Sequence, residues 1–127
     1  MTINLTQELI GNFKEYGSYD IDATFIRACR EGHLDIVKYL LTSPDLIKSL
    51  NIDGVEYKFG QADIHADNDE GVNLACYYGH LEIIKYLLPS KDLKDHADIH
   101  ADSDDGFILA CANNNLDIVK YLLNLEM

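Results

Sequence analysis

The apolar residues of this chain fall into short helical stripes that recur. In Leu34–Leu41, the apolar Leu34, Val37, Leu40 and Leu41 stand at i, i+3, i+6 and i+7, the spacing of one helix face. The same run, Leu-(Asp/Glu)-Ile-(Val/Ile)-Lys-Tyr-Leu-Leu, begins again at Leu81 and Leu116. A second stripe precedes each, marked by Ala28-Cys29, Ala75-Cys76 and Ala110-Cys111. Thus Phe25–Leu41, Val72–Leu88 and Phe107–Leu123 superimpose, and a shorter block, Ala62–Gly71, returns as Ala97–Gly106. Self-similarity at this period marks a stacked-repeat architecture. Cys76 and Cys111 are 35 positions apart and Cys29 and Cys76 are 47, so the first linker carries 12 extra residues.

Each unit is predicted to be a pair of short antiparallel helices. The first runs from about Ala23 to Glu31 with Asp22 as N-cap. Gly32, Gly79 and Asn114 stand where a left-handed residue ends such a helix. Helices this short need a neighbour to be stable, so the units must stack. Upstream, Thr6–Tyr16 has the pattern of an amphipathic helix with Leu9, Ile10 and Phe13 on its apolar side, suited to capping the stack. The expected division is a single domain over 1–127: a capping helix in 1–19, then units 20–61, 62–96 and 97–127. Within the long linker, Asp53-Gly54 lies between alternating apolar residues, a hairpin signal. That hairpin either packs Val55, Tyr57 and Phe59 onto its own unit or offers Tyr57 or Phe59 at its tip to a partner.

Composition narrows the function. With 47% hydrophobic residues in 127, there is material for one packed core. Twenty-two acidic residues against ten basic ones leave a net charge of −12. A nucleic-acid binder needs a basic footprint, and an anionic membrane surface would repel this chain as well. The charge serves solubility, or steers the chain towards a basic partner. No run approaches the length of a membrane span, the first residues lack a signal-peptide pattern, and the three cysteines form an odd set. A cytoplasmic protein is expected.

Catalytic and metal-binding templates are missing. No Gly-rich phosphate loop, nucleophile elbow or HExxH occurs, so neither an enzyme nor a cofactor site is expected. The tracts Asp63–Glu70 and Asp98–Asp105 lack the ligand spacing of a calcium loop, and turn and capping chemistry accounts for their Asp and Asn. Cys29/His33 and Cys76/His80 have a metal-like spacing, but the third unit keeps Cys111 and replaces the histidine with Asn115.

Ala-Asp-Ile-His-Ala-(x)4-Gly, followed by Leu-Ala-Cys-x-x-Gly-His-Leu-Glu-Ile-Ile-Lys-Tyr-Leu-Leu, resembles an ankyrin repeat. It is similar to the shortened variety common in large DNA viruses, phages and some bacteria. The likeness covers about 20 to 123, and it lacks the Thr-Pro-Leu-His that usually opens the first helix. It implies an all-α ankyrin-repeat solenoid of about three helix-turn-helix units, with an N-terminal capping helix and short hairpin-like loops.

The resemblance also implies roles. The cysteines replace a small core residue and stay free thiols, since stacked units place them too far apart for a disulfide. His33 and His80 would bond neighbouring loops, and His65 and His100 would take the place of a hairpin asparagine that bonds the backbone. Partners of ankyrin arrays usually lie in a concave groove. Here its first-helix positions are Arg30 and Glu31, Tyr77 and Tyr78, and Ala112 and Asn113, with Asp69, Glu70, Asp104 and Asp105 at the tips. Tyr77 and Tyr78 are the best candidates for an energetic centre. The function implied is non-catalytic binding of another protein, with a basic or mixed surface. The alternative is an acidic decoy that occupies the nucleic-acid site of a host protein. Phe107, Ile108 and Leu109 are as apolar as interior residues, which suits self-association through the last unit or a longer array. Aspartate at Leu74 or Leu109 is expected to unfold the whole domain.

Overall fold

The computed structural model describes residues 21–42, 49–52, 54–58, 61–88, 97–99 and 101–125. The expected helix at Thr6–Tyr16, Phe59, His100 and the segment between Leu88 and Ala97 lie outside the described residues.

Three helix pairs follow one another: α1 (Ile21–Glu31) with α2 (Leu34–Thr42), α3 (Ala66–Tyr78) with α4 (Leu81–Leu87), and α5 (Ala101–Ala112) with α6 (Leu116–Leu125). The inner helices α1, α3 and α5 pack side by side, and each outer helix folds back on its own inner helix. Among the described residues, the helical-repeat solenoid expected from the sequence is what forms.

The stops are as the spacing predicts. Gly32, Gly79 and Asn114 have φ of +82°, +83° and +60°. Through that turn the N–H groups of Gly32 and His33 both reach the Ala28 carbonyl, at 3.0 and 2.9 Å, and Gly79 and His80 do the same to Ala75. The starts differ from expectation. Helix α1 begins at Ile21, so Asp22 is not its N-cap. Its Oδ1 instead accepts the Asp63 N–H of the second unit at 2.8 Å. Helix α3 opens with a left-handed turn at Asp67, Asn68 and Asp69, φ of 54°, 58° and 60°. Asp and Asn tolerate that region better than most residues, which accounts for the residue types at these three positions.

Phe25, Val37, Leu40, Val72, Ile84 and Leu87 are fully buried, each contributing about 1.5–3 kcal/mol. The outer-helix stripe needs a correction. Ile36, Val37 and Leu40 are buried, while Leu34 and Leu41 are half-buried. In the second unit Leu88 is only 3% exposed, but in the third its counterpart Leu123 is 49% exposed and Leu116 is 58%. The stripe therefore has two halves: one faces the unit's own inner helix, the other faces the following unit.

Strands β1 (Ser49–Ile52) and β2 (Val55–Lys58) pair antiparallel with Ile52 opposite Val55. The chain turns between these two residues, with Gly54 at φ +84°, where the sequence predicts a hairpin. Tyr57 pairs with Leu50, two pairs back from that turn, so it does not sit at the tip. Cys29 and Cys76 are buried, but Cys111 is exposed. Gly106 of the third unit packs over the Cys76 thiol.

Candidate functional site

The inner helices present one continuous face at the first junction. On α1, Ile26, Arg27 and Arg30 are spaced to share a face; on α3, Glu70, Leu74, Tyr77 and Tyr78 stand at i, i+4, i+7 and i+8. Between them lies an open cleft of about 190 Å³ lined by Ile26, Arg27, Arg30, Asp67, Glu70 and Leu74.

Tyr77 and Tyr78 are 40% and 52% exposed, large apolar surfaces left in water. Their rings meet edge to face with centroids 4.7 Å apart, so each restrains the other before any partner arrives. Arg30 is held from behind: His80 Nε2 donates to its carbonyl oxygen at 2.8 Å. In front, its guanidinium lies 3.4 Å from Glu31 Oε1, and Arg27 reaches the same oxygen at 4.0 Å. Glu31 Oε2 is also 3.4 Å from His33 Nε2. Among the proposed contacts, Glu31 is thus already engaged by its own unit.

The acidic tips separate into different environments. Asp69 is only 2% exposed and is corrected from a tip residue to a junction residue. Its Oδ2 accepts the Asp98 N–H of the third unit at 2.8 Å and its Oδ1 pairs with His65 Nδ1 at 2.6 Å. Through Nδ1 the His65 ring therefore addresses a carboxylate. Glu70 is exposed. Asp104 occupies the same left-handed corner in the third unit, φ 63°, and is exposed there; Asp105 is half-buried. Asn113 is exposed, with its Nδ2 donating to the Leu109 carbonyl at 3.1 Å. Tyr57 belongs to the hairpin, apart in sequence from both inner helices.

Among the described residues no cluster of three or more His, Cys, Asp or Glu is arranged to hold a metal ion. Burial pushes the Cys29 thiol far up and that of Cys76 up to about 12, so neither is a ready nucleophile. Desolvation also raises Tyr121. A second cleft of about 280 Å³, at the turns between Gly79–Leu81 and Asn114–Ile118, has Asp117 as its one charged side chain. No described helix is long and apolar enough to cross a membrane.

Sequence reasoning missed Ile26, Arg27, Asp67 and Leu74. The signal was the helical spacing of Arg27 from Arg30, which puts Arg27 one turn before the two positions that precede Gly32. Asp67 was not legible, because its place depends on the left-handed turn.

A family profile described as ankyrin repeats (3 copies) matches residues 28–127. No curated protein matches the chain, and no solved structure does. The histidine and asparagine at the turns, the stacked helix pairs and the profile agree: the chain belongs to the ankyrin-repeat family, whose members are generally protein–protein interaction modules.

Proposed function

We propose that this chain is a non-catalytic module that binds a partner protein along its inner face, with Tyr77 and Tyr78 as the energetic centre. One observation carries the reading: two exposed tyrosines in mutual edge contact, on the helix that walls the cleft. Tyrosine combines large apolar area with a polar end and few rotors to freeze, which is why it is enriched at hot spots. Arg30, Glu70, Asp104, Asp105 and Asn113 then supply a polar rim.

The net charge of −12 favours a second reading, an acidic decoy for a nucleic-acid-binding protein. Arg27 and Arg30 within the cleft weigh against it, since a phosphate mimic gains nothing from guanidinium groups on its contact face. Exposed Ile108, Leu116 and Leu123 support self-association through unit three, which sedimentation of the Ile108→Lys variant tests. The buried free thiols suit the cytoplasmic setting expected from the sequence.

The experiment is a pull-down with the native chain and with Tyr77→Ala/Tyr78→Ala, each washed at low and high salt. Loss of a salt-resistant protein from the variant supports the module. A basic protein kept by the variant and stripped by salt supports the decoy.

A further inference from the structure

The cleft has an internal polarity that the net charge conceals. Because α1 and α3 are equivalent elements of successive units, Glu70 stands level with Ala23 and Tyr77 stands level with Arg30. Asp67 and Glu70 therefore gather at the end where α1 begins. Arg27 and Arg30 lie towards the end where the tyrosines are, and Ile26 and Leu74 are the apolar residues between. From Ala23 to Arg30 a helix rises about 10 Å, the span of about three residues of extended chain.

We infer that this cleft receives a short extended segment of the partner protein carrying one basic and one acidic side chain about three residues apart, with an apolar residue between them. This rests on the inner-face reading and adds the partner's chemistry. A uniformly basic segment would satisfy Asp67 and Glu70 but place like charge against two guanidiniums; a uniformly acidic one would do the reverse. The mixed segment meets both ends. Its basic group lies by Asp67 and Glu70, its apolar side chain on Ile26 and Leu74, and its carboxylate on Arg27 and Arg30 beside the tyrosines.

Glu31 has a definite part in this. One of its oxygens lies between Arg27 and Arg30, at 4.0 and 3.4 Å. Both arginines keep more than a third of their side-chain surface in water, and such exposed, long pairs are weak. A partner carboxylate with bidentate geometry replaces them. Glu31 is thus one internal competitor for the arginines of the cleft.

The test is a selection of displayed random heptapeptides on the native chain, followed by calorimetry with the enriched peptide. The expected consensus pairs Lys or Arg with Asp or Glu three or four positions apart around an apolar residue. Affinity should fall at least tenfold in Arg27→Ala/Arg30→Ala and rise severalfold in Glu31→Gln. Circular dichroism checks that each variant keeps its fold. A one-sign consensus, no enrichment, or arginine variants that bind as the native chain does would overturn the inference. If peptides depend on Tyr77 and Tyr78 but not on the arginines, the dipolar cleft fails while the inner-face reading stands. Enriched peptides indifferent to tyrosines and arginines alike sink both.

Discussion

His80 Nε2 donates to the carbonyl oxygen of Arg30 at 2.8 Å, tying the turn of the second unit to the last turn of α1. At the next junction Asn115 Nδ2 donates to the Cys76 carbonyl at 2.9 Å and to that of Tyr77 at 3.3 Å. The final carbonyls of a helix have no donor within it, and in this stack a side chain from the following unit supplies one. The His80 ring sits so close to Gly32 that a Cβ there would meet it at 2.6 Å. His80→Ala should cost about 1–2 kcal/mol in urea denaturation, and His80→Asn should recover most of it. Equal losses in the two variants would show that the bond contributes little.

Asp69 is the carboxylate counterpart of that tie. Asp22 Oδ1 accepts the Asp63 N–H and Asp69 Oδ2 accepts the Asp98 N–H, both at 2.8 Å, so one corner aspartate per junction holds the loop of the next unit. Hydrogen bonds to charged groups are worth about 1.5–3 kcal/mol each. Asp69→Ala should therefore destabilise by about 3 kcal/mol, while Glu70→Ala, exposed one residue on, stays within about 0.5 kcal/mol. Denaturation midpoints of the two variants settle the contrast.

The buried thiols impose a pH dependence. Cys76 rises from its ordinary 9.0 to about 12 on folding, and Cys29 is pushed up further, both through burial. Unfolded thiols ionise first, so the unfolded state binds fewer protons above pH 9 and stability falls as pH rises. The contribution of Cys76 is fully present below pH 9 and lost up to about 12. Each thiol adds a slope of about 1.4 kcal/mol per pH unit in that window. Denaturation between pH 8 and 10.5 should be shallower for Cys76→Ala than for the native chain; parallel curves would contradict the assignment.

Asn73 is 5% exposed and its Oδ1 finds no donor among the described residues. The counterparts of Asn73 in the other units are Ile26 and Ile108. Asn73→Leu should stabilise by about 1 kcal/mol, measured as a raised urea midpoint. Gly106 backs onto this oxygen, and a Cβ there would lie 2.7 Å away. Gly106→Ala should then cost about 1–3 kcal/mol, less in the Asn73→Ala background.

Aspartate in the core would report how cooperative the stack is. Leu74 and Leu109 are half-buried, and Leu74 lines the cleft, so the whole-domain unfolding expected from the sequence moves elsewhere. Ile84 is 0% exposed, and Ile84→Asp should abolish the helical dichroism signal entirely. Leu74→Asp should keep that signal and melt at a lower temperature.

The sequence by itself determined the unit. Its period, helix pairs, left-handed stops at Gly32, Gly79 and Asn114, and the Asp53-Gly54 hairpin are local matters of spacing and backbone preference. Tertiary structure decided which equivalent residues share a fate. Cys76 is buried and Cys111 exposed, and Asp69 is enclosed while Asp104 is open, although each pair has one position in the repeat. The inner-face tyrosines were legible because exposure there follows from the turn that precedes each outer helix. The opposition of Arg27 and Arg30 to Asp67 and Glu70 was not, because it arises only when α1 and α3 are laid side by side. Local geometry is written in neighbouring residues; burial and charge pairing depend on what the next unit brings, and that is a property of the stack.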